Sequence, residues 1–151
     1  MRGRHALAGS VVLLLAFVAT RAQEKPNFTG QWVLVSPAEA AGQEQTVTHD
    51  AATLTTGHAS TGDGHRAVYK LDGTESRNVV VSHGSDIVTL SKASWTGNQL
   101  TMTSDTTYPD GRKRQAKQVW SLDGEGRLVI DFTESWLGEA PKTMRLVYRR
   151  R

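Results

Sequence analysis

Four histidines stand beyond residue 22, at His49, His58, His65 and His83, in the company of Asp50, Asp63 and Asp86. Imidazole is the commonest metal ligand, and two or three such groups could meet across neighbouring strands. No interval between them matches a metal-binding spacing, however, and His58, His65 and His83 each adjoin a glycine, as solvated turn residues do. No metal is expected. Ser82-His83-Gly84-Ser85-Asp86 holds the letters of a hydrolase triad, but those roles need three side chains converging from separate parts of a fold. Neighbours in one turn diverge. No G-x-S-x-G elbow occurs. Asp131, Glu134 and Glu139 could supply paired carboxylates for acid–base work, yet strand alternation turns Asp131 away from the face that carries Ile130. The expectation is a protein that is not an enzyme and needs no cofactor.

Composition narrows what could position such residues. A chain of 151 residues is the size of one domain. It has no cysteine, which excludes a disulfide framework, a thiolate metal site, c-type haem attachment and a Cys nucleophile. The formal charge is +3, but Arg2, Arg4 and Arg21 fall in the first 22 residues, where no acid stands. The remainder holds 15 basic and 15 acidic groups. That balance, with no nucleic-acid-binding motif, gives no reason to expect a nucleic-acid partner.

Residues 1–22 have the layout of a secretory signal peptide. Arg2 and Arg4 make a positive start, Val11–Ala19 is an uncharged apolar run, and Thr20 and Ala22 place small residues before a cut ahead of Gln23. The run is half of the roughly 20 apolar residues that a membrane helix needs, and no later stretch is more apolar. The expectation is an exported protein, periplasmic or extracellular, with no membrane span once the signal is removed and a domain at residues 23–151.

Beyond the leader the hydrophobic period is two. Trp32 and Leu34, Leu100 and Met102, Leu128, Ile130 and Phe132, and Met144, Leu146 and Tyr148 all alternate with other residues, the mark of strands with one face on a core. Turn chemistry separates them at Tyr108-Pro109-Asp110-Gly111, Trp95-Thr96-Gly97-Asn98 and Asp123-Gly124-Glu125-Gly126. Strands are predicted near 30–36, 44–49, 52–56, 66–72, 77–82, 86–95, 98–107, 113–122, 127–136 and 142–150, merging to about eight. Pro37–Gln45 could make a helical turn, and Gly57–His65 reads as a polar loop. The class is all-β, a single antiparallel up-and-down meander. Closing it into a barrel of about eight strands removes both exposed edges; the alternative is a β-sandwich.

Asn27-Phe28-Thr29-Gly30-Gln31-Trp32 puts a Gly-x-Trp at the start of the first strand, with Trp95–Leu100 (W-x-G-N-x-L) and Asp123–Leu128 further on. This layout resembles the lipocalin-like, calycin-type β-barrels secreted by bacteria, over most of residues 27–150. The resemblance implies an Arg from the last strand lying over Trp32 beside Gly30, closing one end of the barrel. Side-chain parity with Tyr148 favours Arg150 for that place, with Arg149 the other candidate. The resemblance also implies a small apolar or amphipathic ligand inside the barrel. Tyr69, Leu90, Leu100, Met102, Trp120, Ile130, Phe132 and Tyr148 are the expected lining, with Tyr69, Tyr108 and Trp120 offering polar tips. A filled core is the other use of the same face. A rival function rests on charge: residues 23–111 carry five basic and ten acidic groups, and 112–151 carry ten and five. Arg112, Lys113, Arg114 and Lys117 could form a basic surface for anionic envelope lipid or polysaccharide.

Overall fold

The computed structural model describes residues 24–58 and 65–151. The signal-peptide expectation for residues 1–22 and most of the Gly57–His65 loop lie outside the described residues. Ten strands follow in order: β1 (Gly30–Ser36), β2 (Glu44–His49), β3 (Thr53–His58), β4 (Arg66–Lys70), β5 (Ser76–Ser82), β6 (Ser85–Thr96), β7 (Gln99–Thr107), β8 (Lys113–Leu122), β9 (Leu128–Trp136) and β10 (Lys142–Arg150). A single 3-10 turn, Ala38–Ala40, interrupts the β1–β2 connection.

The count is ten, not about eight, because the short strands keep their own turns. The Asp50 carboxylate accepts hydrogen bonds from the N–H groups of Ala52 and Thr53 at 2.8 and 2.7 Å, which separates β2 from β3. Asp72 accepts from the N–H of Thr74 at 2.9 Å and separates β4 from β5. Both are Asx turns, in which a short acidic side chain replaces a backbone acceptor. The Tyr108–Gly111 turn closes with the Gly111 N–H donating to the Tyr108 carbonyl at 2.9 Å, and Gly111 takes φ +83°.

All ten strands form one antiparallel sheet in the order β4-β3-β2-β1-β10-β9-β8-β7-β6-β5. The sheet is a meander whose first strand pairs with its last. Trp32 stands opposite Arg150 and Leu34 opposite Tyr148. The sheet curls into a nearly closed barrel, and β4 meets β5 without a backbone ladder. Side chains bridge that seam. Asn78 accepts from the Val68 N–H at 2.8 Å and donates its amide to the Val68 carbonyl at 3.0 Å. The Ser76 hydroxyl accepts from the Lys70 N–H at 2.8 Å. One carboxamide therefore reproduces both bonds of an antiparallel pair. Asn78→Ala removes two hydrogen bonds and leaves two backbone groups unmet, so unfolding free energy falls by about 1–3 kcal/mol. Urea titration measures the loss, and amide exchange at Val68 should accelerate; unchanged exchange would show that the seam does not depend on this side chain.

Alternation sorts the residues. Phe28, Trp32, Leu34, Val47, Leu54, Leu71, Ala93, Leu100, Met102, Trp120, Leu128, Ile130 and Tyr148 are buried in one cluster. It occupies the end of the barrel where β1 begins and β10 finishes. The opposite end carries the 107–113 and 136–142 turns.

Candidate functional site

The floor of the barrel is built by residues ahead of β1. Phe28 is fully buried, stacked on Trp95 at 5.9 Å and edge-on to Trp120 at 5.6 Å between ring centroids. Its carbonyl accepts from Trp32 Nε1 at 2.9 Å. Below the indole, the Arg150 guanidinium sits 4.6 Å from the Trp32 ring centroid and donates to the Thr29 carbonyl at 2.6 Å. Gly30, at φ +154°, leaves room for it, since a Cβ there would come within 2.9 Å of an Arg150 nitrogen. The three residues expected to close the barrel are thus one cluster, and Arg149 takes the alternate face opposite Val33.

His49 belongs to this floor. Its Nδ1 accepts from the Phe28 N–H at 3.2 Å, and its ring packs against both Phe28 and Trp95, with centroids 5.7 Å from each. Burial pushes its pKa down against the opposing pull of Asp50. A folded-state pKa below the unfolded value means that acid favours the unfolded chain. Stability should therefore be complete above the ordinary histidine range, decline as pH falls through about 6.5, and reach its full loss below the folded pKa. His58, also lowered by burial and then by His65, acts in the same direction. His49→Asn keeps an acceptor without titrating, so its melting temperature should vary less between pH 7.5 and 5 than that of the parent. An identical pH slope would remove His49 from this account.

Above the floor lies an internal space of about 150 Å³. Its apolar lining is Trp120, Ile130, Phe132, Leu146 and Tyr148; its polar lining is Gln45, Thr56, His58, Tyr69 and Gln118. Burial raises the pKa of Tyr148. It also raises that of Tyr69, opposed by the Thr56 hydroxyl and the Arg114 charge, so both phenols are neutral at physiological pH. Gln118 Oε1 accepts from Trp120 Nε1 at 2.8 Å. Gln45 is only 4% exposed, and its Nε2 has no protein partner. A buried donor without an acceptor costs about 1–3 kcal/mol, so this lining has unused hydrogen-bonding capacity.

Arg114, Glu134 and Trp136 mark the rim. Arg114 Nη1 lies 3.5 Å from Glu134 Oε2. The guanidinium groups of Arg112 and Arg114 lie 5.4 and 5.9 Å from the Trp136 ring centroid. Wider clefts of about 510 and 560 Å³ surround the 107–113 and 136–142 turns, both lined by Lys113, Trp136, Leu137 and Glu139.

The expected lining residues divide three ways. Tyr69, Trp120, Ile130, Phe132 and Tyr148 border the internal space. Leu100 and Met102 are buried in the floor cluster beneath it. Leu90 is a correction: it pairs with Arg77 and Asp105 and shares the outer face of exposed Lys92, while Ser91 and Ala93 point inward. The basic strand is a second correction, since alternation splits it. Arg114 turns inward beside Glu134, Arg112 is bound to Asp110 at 2.6 Å, and only Lys113 and Lys117 share the outer face. The four side chains do not form one surface. The carboxylates are apart as well: Asp131 is held by Arg145 at 2.7 Å, Glu134 by Arg114, and Glu139 lies 3.8 Å from Lys142. His83 stands in the exposed β5–β6 turn, its Nδ1 3.1 Å from the Ser82 hydroxyl. Among the described residues no group of three His, Asp or Glu side chains could hold a metal ion.

Gln45, Thr56 and Gln118 were not singled out from the sequence, and His58 and Leu146 were named there in other roles. Their signal was parity. Gln45 precedes Val47 by two, Gln118 precedes Trp120 by two, and Glu134 follows Phe132 by two. Polar residues at inward positions distinguish a lined interior from a filled one.

No family model matches this sequence, and no curated protein matches it. Solved structures do. A fatty acid transporter, REP1-NXSQ, superposes with a TM-score of 0.55 at 12% identity, covering 82% of this chain and 95% of that one. Human cRBP IV superposes at 0.54 and 13% identity, covering 83% and 99%. At such identities the likeness concerns architecture, and it agrees with the strand order, the first-to-last pairing and the closed floor: the described residues form a ten-stranded, nearly closed antiparallel β-barrel.

Proposed function

We propose that this protein is an exported binding protein that holds one small, largely apolar molecule inside its barrel. The observation that carries the reading is the space above the floor, lined by Trp120, Ile130, Phe132, Leu146 and Tyr148 together with polar tips. Cavities of roughly 150 Å³ accept a benzene-sized group, which sets the scale of the buried part of the ligand. The transporter among the structural neighbours supports a binding role over a catalytic one, as does the separation of the carboxylates. Export rests on Arg2, Arg4 and the apolar run Val11–Ala19.

Trp120 reports on the site. Titrating the protein with ring-sized apolar molecules such as ethylbenzene should change its tryptophan fluorescence with saturable, one-to-one behaviour and raise its melting temperature. A linear, unsaturable response with no thermal shift would count against an internal site. Fractionating cells that express the full chain should give a periplasmic or extracellular protein beginning at Gln23. A cytoplasmic protein of full mass would refute export.

A further inference from the structure

We infer that the ligand is uncharged and meets the polar lining through a carbonyl or hydroxyl oxygen, not through a carboxylate. This deepens the reading of the barrel as a small-molecule site and rests on it. Three observations select the class. Gln45 is almost completely buried, borders the space and has an amide nitrogen without a protein partner. Gln118, which borders the same space, is oriented by Trp120 Nε1, which occupies the carboxamide oxygen at 2.8 Å and leaves the amide hydrogens as what that group can offer. One buried donor on this lining therefore lacks an acceptor.

The donors around the space are neutral. Gln45, Thr56, Tyr69, Gln118, Trp120 and Tyr148 bring hydroxyl, amide and indole groups, and His58 is held towards its neutral form by burial. No Lys or Arg borders the space. The nearest cation facing inward, Arg114, stands at the rim outside the lining, its Nε buried without a partner and its Nη1 3.5 Å from Glu134, so an anion approaching it also meets a carboxylate. Moving an isolated carboxylate out of water without a paired cation is far costlier than moving a carbonyl that gains a hydrogen bond. A carbonyl or alcohol oxygen uses the idle donor and brings no uncompensated charge. The size of the space limits the buried part to a ring with one such substituent.

Three probes of matched shape test this on the intact domain by calorimetry: acetophenone, ethylbenzene and benzoate. Acetophenone should bind about 3- to 10-fold more tightly than ethylbenzene, the worth of one neutral hydrogen bond. Benzoate at pH 7 should bind at least tenfold more weakly than acetophenone. Gln45→Leu should erase the preference for acetophenone over ethylbenzene. Benzoate binding as tightly as acetophenone would overturn the charge selection and leave the cavity reading standing. Equal affinity of acetophenone and ethylbenzene in the parent would overturn the role of Gln45, whether or not the variant folds. Failure of all three probes to bind would take down the cavity reading itself and this inference with it.

Discussion

Trp32→Ala should lower the unfolding free energy by about 3–5 kcal/mol, the usual cost of deleting a buried indole. Trp32 is fully buried, so no solvent-exposed fraction softens the change. Its removal also leaves the Phe28 carbonyl without its Nε1 donor and the Arg150 guanidinium without a ring beneath it. The second contact alone is worth about 0.5–2 kcal/mol. A domain of this size has only about 5–15 kcal/mol in hand, and the melting temperature should drop on the order of 10–20 °C. Arg150→Ala, which spares the hydrophobic burial, should cost a minor fraction of that. Urea unfolding of the two variants reads both numbers. If Trp32→Ala cost less than about 1 kcal/mol, the floor would not depend on the first-to-last strand closure described here.

Leu146→Trp should abolish binding and leave the fold intact. Leu146 borders the internal space and pairs with Ile130 on β9. An indole introduced there projects into the volume that the ligand would use. In a filled core such a substitution overpacks and costs about 1–3 kcal/mol. Over a real cavity it fills a void, so stability should change by less than about 1 kcal/mol or rise. The expected pair of results is therefore a loss of affinity for acetophenone and ethylbenzene of at least tenfold with an unchanged melting temperature. Strong destabilisation would indicate that the interior was already packed solid.

The sequence exposed the barrel well because its signals were local. Alternation of Leu128, Ile130 and Phe132, or of Met144, Leu146 and Tyr148, places each strand and its inward face without reference to the rest of the chain. Turns such as Tyr108–Gly111 declare themselves through Pro and Gly. The resemblance implied an Arg of the last strand over Trp32, parity favoured Arg150 over Arg149, and the observed register sets Trp32 opposite Arg150. Misreadings arose where local letters compete with parity. Leu90 is apolar like Val88, but Ser91 and Ala93 hold the inward positions, so Leu90 faces out. Arg112 through Lys117 look like one charged run, yet a pleated strand sends successive residues to opposite faces.

What could not be read is long-range. The pairing of Asn78 with Val68 across the seam depends on how far the curled sheet falls short of closure. Nothing in either segment announces it. The polar lining joins Gln45 and Thr56 from β2 and β3 to Gln118 from β8, strands that meet only across the hollow of the barrel. Inward glutamines at these positions were visible in the sequence, but their meaning as a set required the closed sheet.

The central claim, one small molecule held inside the barrel, is tested most directly by native mass spectrometry of the protein purified without organic solvent. Spectra of the parent and of Leu146→Trp would be taken before and after incubation with acetophenone. The parent should carry a single adduct, either the molecule it acquired in the cell or one equivalent of the probe, that survives native conditions and leaves on denaturation. The variant should show the bare mass throughout. A bare parent mass after saturation with acetophenone, or an adduct retained equally by both proteins, would contradict an internal binding site.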